Sequence, residues 1–183
     1  MERRWYKNSF IVIFWGLLIC GLFSMKTYAS EIPESEFEDK KLYQLMLNRY
    51  DFDGDGILET EEAEQVLYIE IFPSIHIKEV TSFKGLEYFK NVYNINFDGT
   101  GFKKVKDISP ICELTNLQFL SIEDLTRVED WSGLNKLINL QQIVVDGCDI
   151  TDISFLRNMP HMKTLVLGTT EPISNVQIIG ELK

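Results

Sequence analysis

The sequence predicts an α/β solenoid, a short curved parallel sheet built from repeated units and capped at its N-terminal end by a small helical motif. Three observations lead there. Short apolar, strand-like segments recur every 22 to 26 residues, a period typical of stacked repeats. A second motif of turn and apolar residues recurs in step with the first. Ahead of the repeats lies a helical pattern interrupted by an acidic, glycine-containing loop.

The N-terminal element reads as an export signal. Met1–Asn8 is basic, Ser9–Met25 carries no charge, and Thr27-Tyr28-Ala29 offers a small residue where cleavage is expected. The apolar stretch is longer than a usual signal core and shorter than a comfortable membrane span. Residues 1–29 are therefore a cleaved signal or, alternatively, an uncleaved membrane anchor, and either places Glu31 onward outside the cytoplasm. Cys20 lies inside this segment, with Ile19 where a lipoprotein signal needs a small residue. Residues 30–38, acidic and containing Pro33, read as a linker.

Charge narrows the function. The chain of 183 residues has a formal net charge of -10, is 45% apolar and 12% aromatic, and so can bury a core. Without residues 1–29, 14 basic side chains face 27 acidic ones. Such a body repels phosphate backbones and anionic lipid. Nucleic acid is excluded on this ground, and membrane association is left only to an uncleaved N-terminal segment. Cations and basic partners are favoured.

Residues 39–66 read as a helix–loop–helix. Phe37, Leu42, Leu45 and Met46 are spaced for one buried helical face, and a second short helix is expected from roughly Glu61 to Val66. Between them, Asp51-Phe-Asp-Gly-Asp-Gly-Ile-Leu-Glu-Thr-Glu-Glu62 matches the calcium loop of the EF-hand. Asp51, Asp53 and Asp55 occupy loop positions 1, 3 and 5, where alternation lets their carboxylates converge. Gly56 permits the sharp turn at position 6. Ile57 offers its backbone carbonyl at position 7, Leu58 packs inward at position 8, Glu59 acts directly or through water, and Glu62 closes the shell with both oxygens. Five acidic side chains on one loop repel one another without a cation, and calcium suits this all-oxygen set better than the tighter octahedron of magnesium. EF-hands usually pair through position 8, and the chain has one such loop. Its expected affinity is weak, about 10⁻⁴ to 10⁻³ M as in extracellular modules.

Residues 67–183 read as the repeat array. Leu117-x-x-Leu120-x-Ile122 recurs as Leu140-x-x-Ile143-x-Val145 and as Met162-x-x-Leu165-x-Leu167. Val92-x-x-Ile95-x-Phe97 fits the same template upstream, and Val66-x-x-Ile69-x-Ile71 fits it more loosely. The second half repeats as Asp107-Ile-Ser-Pro-Ile111, Asp130-Trp-Ser-Gly-Leu134 and Asp152-Ile-Ser-Phe-Leu156. This is the pattern of a leucine-rich-repeat solenoid: each unit supplies one short strand with its apolar residues inward, and no unit buries its apolar face alone. Four to five strands are expected.

Lys106-Asp-Ile-Ser-Pro-Ile-Cys-Glu-Leu-Thr-Asn-Leu-Gln-Phe-Leu120 resembles the repeat unit of internalin-type bacterial surface proteins. Ser82-Phe-Lys-Gly-Leu-Glu-Tyr-Phe89 looks like the segment that opens such arrays after a cap. The resemblance covers roughly residues 67–176. It implies a non-enzymatic binding module, secreted or at the bacterial cell surface, that recognises a protein or glycan through its concave face. The sequence departs from the family at the inward Asn ladder, occupied here by Thr100, Leu125, Cys148 and Thr170, so a less regular solenoid is expected. A likeness to bacterial proteins in which an EF-hand precedes leucine-rich repeats supports a structural role for Ca²⁺, stiffening the cap.

The strand positions between the buried residues define the candidate binding face. Asn94, Phe119, Gln142 and Thr164 form one column; Asn96, Ser121, Val144 and Val166 form the next; Asp98, Glu123, Asp146 and Gly168 form a third. Phe119, Ser121, Glu123, Gln142, Val144, Asp146 and Val166 thus read as an exposed apolar patch beside an acidic column, suited to a partner with a basic rim. The bland alternative is ordinary solvated strand positions on a calcium-stiffened surface spacer without a specific ligand. His76 and His161 sit in different repeats with no catalytic neighbour. Cys112 and Cys148 allow one disulfide in an exported protein, although their places in the repeat favour buried free thiols. Nothing supplies a nucleophile–base pair or an open metal position.

Overall fold

The computed structural model describes residues 30–71, 79–97 and 100–181. The expected signal or anchor segment, His76 and Asp98 lie outside the described residues. The first helix, α1, runs over Lys40–Tyr50. Its start follows from Asp39, whose carboxylate accepts the N–H groups of Lys41 at 2.8 Å and Leu42 at 3.4 Å, satisfying donors that the first helical turn leaves free. Leu42, Tyr43 and Met46 form its buried face. The helix ends at Asp51, and α2, Thr60–Ala63, follows the loop. This second helix is shorter than expected.

Five strands form one parallel sheet in chain order: β1 Tyr68–Ile71, β2 Asn94–Phe97, β3 Phe119–Glu123, β4 Gln142–Cys148 and β5 Thr164–Thr169. The register is the one the repeats predict. Ile69, Ile95, Leu120, Ile143 and Leu165 align in one inward row, and Ile71, Phe97, Ile122, Val145 and Leu167 in the other. A fully buried side chain of this size contributes about 1.5 to 3 kcal/mol. The return limbs are short turns of 3-10 helix at Leu86–Tyr88, Ser132–Lys136, Ser154–Asn158 and Val176–Glu181, with one α-turn, α3, at Ser109–Cys112.

The recurring Asp-x-Ser has a local cause. Asp107, Asp130 and Asp152 each accept the N–H two residues on, from Ser109 (2.8 Å), Ser132 (2.8 Å) and Ser154 (2.7 Å). That Asx turn stops the extended chain and starts each return limb. Further apolar filling comes from Phe83, Phe97 and Phe102, whose rings lie 5.0 to 5.5 Å apart within the core.

Residues 30–38, expected as a linker, belong to the packed cap. Ile32 and Phe37 are buried, because a segment this close to an apolar helix face gains more by contributing to it than by remaining solvated. The Phe37 ring lies where a Cβ on Gly85 would meet it at 2.3 Å, and Gly85 has φ +105°, so only glycine fits that turn. Alongside, the Thr81 N–H donates to Asp39 at 2.6 Å, Ser82 to Glu38 at 2.9 Å and the Tyr88 hydroxyl to Glu36 at 2.8 Å. The segment expected to open the array after a cap is therefore the one that receives the cap.

The inward ladder shows how the array manages without asparagine. Leu125 and Cys148 are both fully buried; the Leu125 N–H donates to Cys148 Sγ at 3.3 Å, and the thiol donates to the Asp146 carbonyl at 3.3 Å. Both described cysteines are free and buried.

Candidate metal loop and concave face

Loop 51–62 gathers its acids into two groups that share a member. Carboxylate oxygens of Asp51, Asp53 and Asp55 lie within 4.8 Å of one another, and so do those of Asp53, Glu59 and Glu62. The backbone folds around Asp51, which accepts the N–H groups of Gly54 (2.7 Å) and Asp55 (3.2 Å) on one oxygen and of Gly56 (2.9 Å) on the other. Gly54 and Gly56 stand at φ +77° and +84° with open space where a Cβ would be, so both are glycine because of the backbone angle and not for want of room. Glu62, only 6% exposed, reaches back to accept the Phe52 N–H at 2.5 Å and the Glu59 N–H at 3.1 Å. It thereby ties the two ends of the loop together and completes a capping box with Glu59 on α2.

Electrostatics report the crowding. Desolvation, a shared hydrogen bond with Glu62 and the charges of Glu62, Asp55 and Asp53 push Glu59 up to about 7. Burial and neighbouring negative charge both oppose ionisation of this carboxyl. The donor set is all hard oxygen, which fits Ca²⁺ or a similar divalent ion. Ile57, the expected carbonyl ligand, is 38% exposed on the same loop.

Position 8 of the loop has a partner that the sequence reading missed. Leu58 is fully buried, and its carbonyl accepts the Ile32 N–H at 2.7 Å; Glu31 and Glu59 form an antiparallel bridge, and the Thr60 N–H donates to the Ser30 carbonyl at 2.9 Å. The chain's own residues 30–32 thus pair with the end of the loop. The only sequence signal was Ile32, an isolated apolar residue in an acidic stretch.

On the opposite side of the molecule from the return limbs, the three columns align as expected: Asn94, Phe119, Gln142 and Thr164; Asn96, Ser121, Val144 and Val166; Glu123, Asp146 and Gly168. Their exposure is uneven. Phe119, Ser121, Glu123, Gln142 and Val144 are half-buried, because neighbouring strands supply flanking side chains, whereas Asp146, Thr164 and Val166 are exposed. The apolar patch is thus narrower than expected. At its β1 end the Tyr68 and Tyr93 rings pack edge to face at 4.6 Å. Gln141 Nε2 donates to Gln118 at 3.1 Å and Lys163 Nζ to Gln141 at 2.8 Å, making a polar ladder along one rim.

A second ladder also escaped the sequence reading. The amides of Asn91, Asn116 and Asn139 donate to the carbonyls of Glu64 (2.7 Å), Lys90 (3.0 Å) and Thr115 (2.9 Å), each in the preceding unit. Its signal was visible: asparagine directly precedes the first apolar residue in three consecutive repeats, and His161 takes that place in the fourth.

Strand order, register and return limbs define a leucine-rich-repeat solenoid. Among solved structures the chain is similar to an internalin (inlF) of Listeria monocytogenes, with a TM-score of 0.67 and 26% identity over 84% of this chain and 43% of that one. It therefore spans under half the length of that neighbour. An internalin C2 (inlC2) from the same organism aligns over 85% of this chain and 94% of its own, at 18% identity and a TM-score of 0.39. No family model matches the sequence, and no curated protein does.

Proposed function

We propose that the chain is an extracytoplasmic binding module in which loop 51–62 holds one Ca²⁺ and the concave face of the solenoid contacts a protein or glycan. The observation that carries the metal half is the convergence of Asp51, Asp53, Asp55, Glu59 and Glu62 into two carboxylate clusters joined at Asp53. Ile57 contributes its carbonyl, and Glu62, already hydrogen-bonded across the loop, supplies the closing carboxylate. The ion neutralises charge that otherwise strains the cap, and its role is structural. Loop order reaches the array through Leu58, Ala63 and Val66, all buried in the common core.

The binding half is supported by the likeness to internalin inlF and by the concave columns. Phe119, Val144 and Val166 supply apolar contact, Ser121 and Gln142 supply hydrogen bonds, and Glu123 and Asp146 favour a partner with a basic rim. Export is supported by the basic residues before Ser9–Met25; no helix among the described residues is long and apolar enough to cross a membrane. A second reading, a calcium-stiffened spacer without a ligand, is favoured by the half-burial of most of the patch. Calorimetric calcium titration with melts in calcium and in chelator tests the metal half. One-site binding that raises the melting temperature of the whole array supports it, and no binding at millimolar calcium overturns it. Charge reversal at Glu123 and Asp146 tests the face: unchanged capture of a surface partner removes the acidic column from the account.

A further inference from the structure

The β1–β2 end of the concave face differs in chemistry from the rest. Tyr68 is 49% exposed on β1. Its ring meets that of half-buried Tyr93 edge to face, with centroids 4.6 Å apart and planes inclined at 64°. Two rings at that angle make two walls of a corner. Glu70 lies exposed two residues beyond Tyr68 on the same face of the strand, about 7 Å along it. The register sets Asn94 opposite Tyr68 and Asn96 opposite Glu70, both half-buried. Two aromatic rings, one carboxylate and two amides therefore share one small surface. Its charge is uncompensated: among the described residues the Glu70 carboxylate has no ion pair, and the Arg49 guanidinium is committed to the Glu70 backbone carbonyl. The other outward strand positions, from Asn94 on β2 to Gly168 on β5, hold no lysine or arginine among the described residues.

We propose that the corner formed by Tyr68, Tyr93 and Glu70 receives an arginine side chain of a protein partner, its guanidinium stacked on a tyrosine ring and forked onto the Glu70 carboxylate. The proposal rests on the reading of the concave face as the contact surface and names one anchor there, outside the patch on β3 to β5. The chemistry selects the occupant. A purely apolar partner would bury the carboxylate and the amides without bonds, which is costly. An organic cation avoids that cost, because aromatic faces attract it and Glu70 neutralises it. A quaternary ammonium brings no N–H to the carboxylate and amide oxygens. A lysine ammonium brings N–H groups but no plane to lie against a ring, whereas a guanidinium has both. The backbone also leaves the corner available. The Tyr50 hydroxyl and the Arg49 guanidinium hold β1 through the carbonyls of Tyr68 and Glu70, not through their side chains. Arginine and tyrosine are the side chains that most often dominate protein contacts once desolvated.

The test uses the full chain with isotope-labelled tyrosine rings, followed by NMR. The probes are acetyl-arginine methylamide, its lysine counterpart, and its citrulline counterpart, which keeps the shape and loses the charge. The arginine probe is expected to shift the Tyr68 and Tyr93 rings saturably, with a dissociation constant in the millimolar range. Binding should be at least about threefold weaker for lysine and about tenfold weaker for citrulline. Glu70→Gln and Tyr68→Leu are each expected to weaken arginine binding at least about fivefold. Both should melt near the parent temperature, since the two side chains are exposed and the bonds from Tyr50 and Arg49 reach only backbone carbonyls. Equal affinity for citrulline or lysine, no saturation at tens of millimolar arginine probe, or unchanged arginine affinity in Glu70→Gln overturns the proposal. Such a failure removes this anchor alone, because charge reversal at Glu123 and Asp146 tests carboxylates on β3 and β4.

Discussion

The Tyr50 hydroxyl donates to the Tyr68 carbonyl at 2.9 Å, joining the last turn of α1 to the outer edge of the first strand. The Tyr50 ring also packs 5.6 Å from Phe89 in the core and 6.2 Å from Phe52 at the start of the acidic loop. One side chain therefore meets the loop, the sheet edge and the repeat core. Tyr50→Phe keeps the ring contacts and loses the bond, an expected cost of about 1 kcal/mol. Tyr50→Ala loses both, at about 3 kcal/mol. Chemical denaturation distinguishes them, and equal losses would mean that the rings contribute little.

Asp39 couples the cap to the array through acid-sensitive bonds. Burial pushes its carboxyl up, but the Thr81 N–H and hydroxyl and the N–H groups of Lys41 and Leu42 together outweigh this and hold it below its ordinary 3.8. A carboxyl lowered in the folded state stabilises the protein fully above its unfolded value and loses that contribution as pH falls through the folded one. Asp39→Ala is expected to cost about 2 to 3 kcal/mol at neutral pH. Melts from neutral pH down to below 3 should show the gap between the two proteins closing as the medium turns acid. A gap that stays constant would place the loss in packing.

Much of this architecture was legible because its signals are periodic. Leu120, Ile143 and Leu165 announce their strands by spacing, and Asp107, Asp130 and Asp152 announce the turns by chemistry. The carboxylates from Asp51 to Glu62 were legible for the same reason, since convergence is written into their alternation. Pairings between distant, non-repeated residues left no such trace. Ile32 bonding to Leu58, Phe37 against Gly85 and the closing of the β1 edge by Tyr50 each join segments whose sequences do not resemble each other. Exposure of the concave face was misjudged because period-2 alternation gives direction but not how far neighbouring strands cover a side chain.

Asp53 belongs to both carboxylate clusters, so removing its charge should act in opposite directions with and without metal. In chelator, Asp53→Asn relieves repulsion on Glu59 and Asp55 and is expected to leave the melting temperature unchanged or raised. On the proposed calcium reading, the same substitution should weaken calcium binding by roughly tenfold or more, about 1.4 kcal/mol. Gly56→Ala separates geometry from charge: with φ at +84° and open space around it, the substitution costs about 1 to 2 kcal/mol through backbone strain alone. Calorimetry and melts on both variants check these signs, and equal calcium affinity in Asp53→Asn and the parent would remove Asp53 from the ligand set.

Cys148 stands where its thiol is a structural acceptor and not a reagent. Burial pushes both it and Cys112 up to about 12, so the thiolate that reacts with disulfide reagents is scarce at neutral pH. In the folded protein both are expected to resist an aromatic disulfide reagent, and modification should proceed only as fast as unfolding. Cys148→Ala leaves the buried Leu125 N–H without its 3.3 Å acceptor and should cost about 1 to 3 kcal/mol. Stopped-flow modification kinetics beside the unfolding rate make the comparison. Prompt labelling of Cys148 in native buffer would show that the β4 end of the core opens locally, and prompt labelling of Cys112 that the return limb at α3 does.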